Sequence, residues 1–111
     1  MSEIVGFAGQ IFPEQVTQVV EKGFKSIINN RPDLEGGAEQ PKSQQIEEAA
    51  RGAGLDYVYQ PVVAGQITEV DVRTFANHFN ELPKPVLMFC RTGNRSNNLF
   101  QLAKQMDLLD D

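Results

Sequence analysis

One short stretch concentrates the residues able to do covalent chemistry. MFCRTGNRSNNLF, residues 88–100, holds the chain's only cysteine, Cys90, directly followed by Arg91, Thr92, Gly93, Asn94, Arg95 and Ser96. A thiolate is a good nucleophile, and nearby arginine and helix N-terminal amides favour its formation. Arg95 can give bidentate hydrogen bonds to an oxyanion. Gly93 permits backbone geometry that other residues resist. Ser96 can aim a hydroxyl at the sulfur. Such a set suits two tasks: holding an anion such as phosphate, sulfate or thiosulfate, and ionising the thiol that faces it. A lone thiol at a strand end is more often inert packing. The glycine three positions on, the arginine five on and the serine six on set this one apart.

The elements around the stretch must place it. PVLMFC is a continuous apolar run, expected of a strand covered on both faces. The chain is expected to turn helical at about Arg95 or Ser96, with Leu99, Leu102, Ala103 and Met106 facing inward. Upstream, EIVGFAGQI reads as one or two short strands. PEQVTQVVEKG reads as a helix with Pro13 in its first turn, Val16, Val19 and Val20 at helical spacing, and Gly23 at its end. FKSIINN reads as a buried strand, and RPDLEGGAEQPKS as a long loop. SQQIEEAARGAG reads as a helix with Ile46, Ala49, Ala50 and Ala53 on one face. LDYVYQPV reads as a strand stopped near Pro61.

ITEVDVRTFANHFNEL is the clearest helix. Thr68 and Asp71 are spaced for a capping box, and Val72, Phe75, Ala76 and Phe79 form the apolar face. Strands alternate with helices, so the fold class is α/β: a mainly parallel central sheet flanked by helices. Cys90 then lies at the carboxyl end of a buried strand, where open α/β sheets bind their ligands.

With 111 residues the chain predicts one domain, residues 1–111. Its net charge of −5 argues against nucleic acid and anionic membrane as partners, but not against a small anion in a locally basic pocket. No run approaches the roughly 18 apolar residues of a membrane span. The first residues lack the pattern of a secretory signal. The expected location is therefore the cytoplasm, where a thiol stays reduced.

At the Cys90 loop the chain resembles known families. CRTGNRS is similar to the active loop of rhodaneses, often C-R-x-G-x-R-S. SIINNRPDLEG, AGLDYVYQPV and KPVLMFCRTGNRS resemble a dual-specificity protein tyrosine phosphatase. From about Gly9 to Lys104 the chain resembles the small bacterial phosphatase-like domain of beta-lactamase hydrolase-like proteins. The resemblance implies a protein tyrosine phosphatase-like fold with Cys90, Arg95 and Ser96 as catalytic residues. It implies an anion-binding role for the backbone and side chains of Arg91 to Asn94. It also places the NNRP turn beside the pocket, where Arg31 would help bind an anionic substrate. Related domains occur fused to persulfide dioxygenases, so such an enzyme, or a thiol acceptor, is an implied partner. No cofactor is expected.

The departures from a phosphatase bear on the chemistry. The phosphatase signature has five residues between Cys and Arg, whereas four separate Cys90 from Arg95. Phe89 stands where that signature has His. The loop VVAGQ lacks the aspartate that would protonate a leaving oxygen, and Asp71 and Glu69 read as helix N-terminal charges. A general acid is worth about 10²–10⁴-fold. Sulfane sulfur transfer expels sulfite or a thiolate and needs little protonation, so a sulfurtransferase passing sulfur through a Cys90 persulfide to a thiol acceptor is the first expectation. A phosphatase acting through a cysteinyl-phosphate is the second, and a non-catalytic anion- or phosphoprotein-binding module the third.

Other residues carry blander expectations. Tyr57 and Tyr59 alternate on a strand and suggest packing. Gln66 is a substrate-contact candidate. His78 lies just off the Phe75–Phe79 stripe and reads as a solvated helix residue, and one Cys and one His do not make a metal site. The glycines at 36 and 37 read as loop flexibility, and MDLLDD as a solvated tail.

Overall fold

The computed structural model describes residues 4–110; Glu3 and Asp111, at the outer ends of the expected first strand and tail, lie outside them. Each predicted strand forms: β1 (Val5–Ala8), β2 (Ser26–Asn29), β3 (Asp56–Tyr59) and β4 (Val86–Phe89). A 3₁₀ turn over Pro13–Gln15 leads into α1 (Val16–Glu21). The remaining helices are α2 (Ser43–Gly52), α3 (Glu69–Glu81) and α4 (Asn94–Gln105).

The sheet runs β1-β4-β2-β3, and each of its three pairings is parallel. Side chains alternate across it. Ile27, Leu87 and Phe89 face α1 and α2, where they meet Val16, Val19, Ile46 and Ala50. Ile28, Val86 and Met88 face α3 and α4, where they meet Val72, Phe75, Phe79, Leu99 and Phe100. This double cover explains why FKSIINN and PVLMFC are unbroken apolar runs instead of alternating ones.

Register is what positions the site. Phe89 pairs with both Ala8 and Asn29, and Asn29 pairs with Tyr59. All four strands therefore end level. The segments starting at Gly9, Cys90, Asn30 and Gln60 leave one edge side by side. β4 lies between β1 and β2; the helices that follow those two strands, α1 and α2, pack on one face and α4, which follows β4, on the other, so Cys90 emerges where the connections part, at the topological switch point.

Thr68 caps α3 as its spacing predicts. Its Oγ1 accepts from the Asp71 amide at 3.2 Å, and Asp71 Oδ2 accepts from the Thr68 amide at 3.0 Å. Asp71 is thereby committed to the cap. Thr68→Ala is expected to cost about 1 kcal/mol, read as a fall of roughly 4–8 °C in thermal midpoint.

Several finer expectations are corrected. Val20, Leu102 and Met106 are exposed, at 39%, 36% and 36%, and Ala53 is exposed as well. On α4 the missed core residue is Phe100, whose ring packs on Phe75, Phe79 and Phe7 at centroid distances of 6.5, 5.5 and 5.7 Å. The helix starts at Asn94, and this aromatic cluster sets its rotation, which leaves Leu102 and Met106 on its flank. The acidic tail is tied down: Asn80 Nδ2 donates to the Leu108 carbonyl, and the Asp110 amide donates to Asn80 Oδ1. Leu108 and Leu109 pack against the core.

The long loop after β2 is also ordered by named bonds. Asp33 donates its amide to Tyr59 Oη at 2.8 Å, and Asp33 Oδ1 accepts from the Ser43 amide at 2.8 Å. Gln40 Nε2 donates to the Pro32 carbonyl, and Gln40 Oε1 accepts from the Gly36 amide. Tyr59 is thus a half-exposed anchor for this loop, while Tyr57 is buried against Ser43 and Asn29. The anchored loop swings Glu35 to the carboxyl edge of the sheet.

Candidate active site

Cys90 is 1% exposed, and its amide donates to the Ala8 carbonyl at 3.3 Å. The chain then turns back around the sulfur, so that the Gly93 amide donates to Cys90 Sγ at 3.1 Å. Gly93 makes this turn with φ +94°, and a Cβ there would press on the Ala8 carbonyl oxygen at 3.3 Å. Strain and crowding together explain the glycine. Because α4 begins at Asn94, one or two positions earlier than expected, Ser96 falls in its first turn. Its amide is among those with no acceptor inside the helix.

Burial pushes the Cys90 thiol up. The amides of Ser96, Thr92 and Gly93 and the Ser96 hydroxyl outweigh it, so the pKa lies below the ordinary thiol value. The hydroxyl has one proton, and it donates to Asn30 Oδ1 at 2.8 Å. The backbone amides therefore carry the stabilisation of the thiolate. Asn30 is fully buried and donates from Nδ2 to the Gln60 carbonyl, which locks this partner under the loop.

Since only the thiolate is alkylated, the rate with iodoacetamide rises with pH and levels off above the thiol pKa. The lowered pKa places the plateau at lower pH than for a free cysteine. A profile from pH 5 to 10 reads this directly; a midpoint at or above that of free cysteine contradicts the role given to the amides.

Arg95 is 9% exposed and held from two sides. Nη1 donates to the Val62 carbonyl at 3.0 Å. Glu35 takes the far end of the guanidinium, with Oε2 3.0 Å from Nη1 and Oε1 3.2 Å from Nη2. Nε is buried and has no acceptor within the protein. A buried donor left alone costs about 1–3 kcal/mol, and a ligand oxyanion is the kind of group that would satisfy it. Glu35 also accepts from Arg31 Nε at 2.9 Å, while Arg31 Nη1 donates to Gln10 Oε1 at 3.0 Å. Burial pushes the Glu35 carboxyl up, but its bonds to Arg95 and Arg31 outweigh that and hold it below the usual value. It stays ionised and orients Arg95.

A cavity of about 270 Å³ opens over the sulfur. Cys90, Arg91, Thr92, Asn94 and Arg95 line one side, with Asn98 one turn further along α4; Ala64, Gly65 and Ile67 line the other. Arg91 and Thr92 are exposed, and Thr92 Oγ1 accepts from the Asn94 amide at 3.4 Å. Arg31 stands outside this cavity, in a neighbouring one with Glu35, Gly36, Ala64, Arg91 and Arg95. Gln66 is exposed and is not in the lining, although its neighbours are. His78 is half-buried on α3, on neither cavity wall. Sequence reasoning missed Glu35 and Asn98. Asn98 was findable at helical spacing from Asn94; Glu35 carried no signal, because only the folded loop delivers it.

Residues 1–107 match the family model described as the beta-lactamase hydrolase-like protein, phosphatase-like domain. The chain belongs to this phosphatase-like domain family. Beta-lactamase hydrolase-like proteins of Agrobacterium fabrum and Xylella fastidiosa are 38% and 34% identical to the phosphatase-like domain over 107 residues. The match covers 96% of this chain but 25% of each relative, so the chain spans about a quarter of their length. Among solved structures, a candidate phosphatase of Neisseria meningitidis superposes with a TM-score of 0.87 at 34% identity. That superposition covers 96% of the phosphatase-like domain and 75% of the Neisseria chain. A candidate phosphatase of the DUF442 group from Shewanella putrefaciens shares the fold, with a TM-score of 0.76, 24% identity and coverage of 99% and 69%.

Proposed function

We propose that this phosphatase-like domain is a sulfurtransferase working through a Cys90 persulfide. The observation that supports the reading is the lining of the cavity: among the described residues it contains the Cys90 thiol and guanidinium groups but no carboxylate. Asp71 is bound in the α3 cap. Glu35, the carboxylate near Arg95, is held ionised by two arginines and has no proton to give. A leaving group that needs protonation is poorly served here; sulfite or a thiolate is not.

In the first step the Cys90 thiolate attacks the outer sulfur of thiosulfate or of a persulfide. A new S–S bond forms, the old one breaks, and its electron pair leaves with sulfite or thiolate. Backbone amides and Arg95 hold the charge of the departing oxyanion and of the persulfide. In the second step an acceptor thiolate, or cyanide, attacks the outer sulfur, and the electron pair returns to Cys90. Arg91, Thr92, Gly93 and Asn94 provide the cradle.

Mass spectrometry of the protein after thiosulfate treatment tests the first step. A gain of about 32 Da on Cys90, removed by cyanide, is expected of a covalent sulfur carrier. Unchanged mass under donor excess overturns the reading. Phosphatase action is the second reading, favoured by the family and by the descriptions of its solved relatives. It predicts release of phosphate from an aryl ester, whose leaving group needs little acid.

A further inference from the structure

The cavity over Cys90 shares Ala64, Arg91 and Arg95 with a larger one of about 640 Å³, completed by Arg31, Glu35 and Gly36. Thiosulfate or phosphate needs only the first space. The second has the size of a site for an organic ligand, and its charge is unusual for this chain. The protein has a net charge of −5 and five arginines. Three of them, Arg31, Arg91 and Arg95, line this cavity. The other two are spent on exposed helix pairs, Arg51 with Glu47 and Arg73 with Glu69.

Glu35 offsets one of the three charges and shows how the wall takes a carboxylate, with Oε1 accepting from both Arg31 and Arg95. Arg91 is exposed, and its guanidinium has no hydrogen-bond or ion-pair partner among the described residues. Gly36 leaves Arg31 its place, since a Cβ there would come within 2.6 Å of Arg31 Nη2. Two guanidiniums therefore remain in excess beside a reaction pocket, and an uncompensated cluster of this kind attracts a second anion.

We propose that the substrate is an organic molecule with two anionic ends: a reacting head over Cys90 and a carboxylate held in the side cavity by Arg91 and Arg31. The proposal rests on the Cys90 pocket being the anion-binding reaction site, but not on whether sulfur or phosphorus is transferred. A carboxylate-bearing persulfide or thiol fits it, and inorganic thiosulfate uses half of the site.

Protection of Cys90 from iodoacetamide tests this without turnover. The probes are 3-phosphonopropionate, with an anionic head and a carboxylate tail, and propylphosphonate, with the same head and a neutral tail. The carboxylate probe is expected to protect at about tenfold lower concentration, the equivalent of one charge-assisted hydrogen bond. In the Arg31→Gln, Arg91→Gln double variant the ratio falls to about one. Equal protection of the wild type by both probes overturns the side site and leaves the Cys90 reading standing. An advantage that survives the double variant overturns its assignment to these arginines. Protection by neither probe overturns both the side site and the anion-binding reading.

Discussion

Cys90→Ser is expected to abolish thiosulfate-dependent thiocyanate formation, with a loss of about 10³-fold or more, as when the nucleophile is removed from a covalent catalyst. Serine is nearly the same size, and the Gly93 amide that donates to Cys90 Sγ can donate to a hydroxyl oxygen as well. The fold and the amide cradle should therefore survive, and a thermal melt serves as the control. What is lost is ionisation. The amides that hold the thiol below its usual pKa cannot bring an alcohol into the working range, and oxygen does not form a persulfide. More than about a tenth of the activity remaining would remove Cys90 from the chemistry.

Arg95→Lys carries the second largest effect, a fall in kcat of about 10²–10³-fold, the usual cost of removing an oxyanion donor. The charge is kept, so a smaller loss would follow if Arg95 supplied only a field. The arginine, however, makes a bond to the Val62 carbonyl and an end-on pair with Glu35 at the same time. That arrangement fixes the plane of the guanidinium, and a lysine ammonium has no plane to fix. It would be drawn to Glu35 as a point charge and away from the sulfur. A loss of less than threefold would mean that Arg95 is a structural tie of the loop.

The contrast between Arg95 and Glu35 marks what was legible in the sequence. Cys90, Gly93, Arg95 and Ser96 lie within seven consecutive residues, from the end of β4 to the first turn of α4, so spacing alone assembles them. The parallel sheet was legible for the same reason: the two unbroken apolar runs around Ile27 and Leu87 require cover on both faces. Glu35 is different. It reaches Arg95 across sixty positions of chain, inside a polar stretch with no periodicity, and bonds at its neighbour Asp33 to Tyr59 and Ser43 bring it there. No local pattern encodes such a contact. The misplaced inward residues on α4 have a related cause. Leu102 and Met106 fit a helical stripe, but the packing of Phe100 against Phe7, Phe75 and Phe79 decides the rotation. Shape complementarity between distant elements settles which of two adjacent stripes is buried.

The side cavity gives the same lesson from the other direction. Arg31 was expected beside the pocket, and it stands one cavity away, tied to Glu35 and Gln10. Its place follows from the level ends of β2 and β4, which set the loops that follow them next to each other. Spacing could place Arg31 at the correct edge of the sheet, but not on one side or the other of Arg95.

A paired assay of the wild-type protein separates sulfur transfer from phosphate hydrolysis. One arm follows thiosulfate-dependent thiocyanate formation with cyanide, and the other follows hydrolysis of an aryl phosphate. Sulfur transfer through Cys90 predicts thiocyanate formation that depends on this residue, with little phosphate release even from an aryl ester, because only four residues separate Cys90 from Arg95 and the shorter loop offers fewer amides to a phosphoryl group. Brisk release of phosphate without thiocyanate would contradict it and make the Cys90 loop a phosphatase loop.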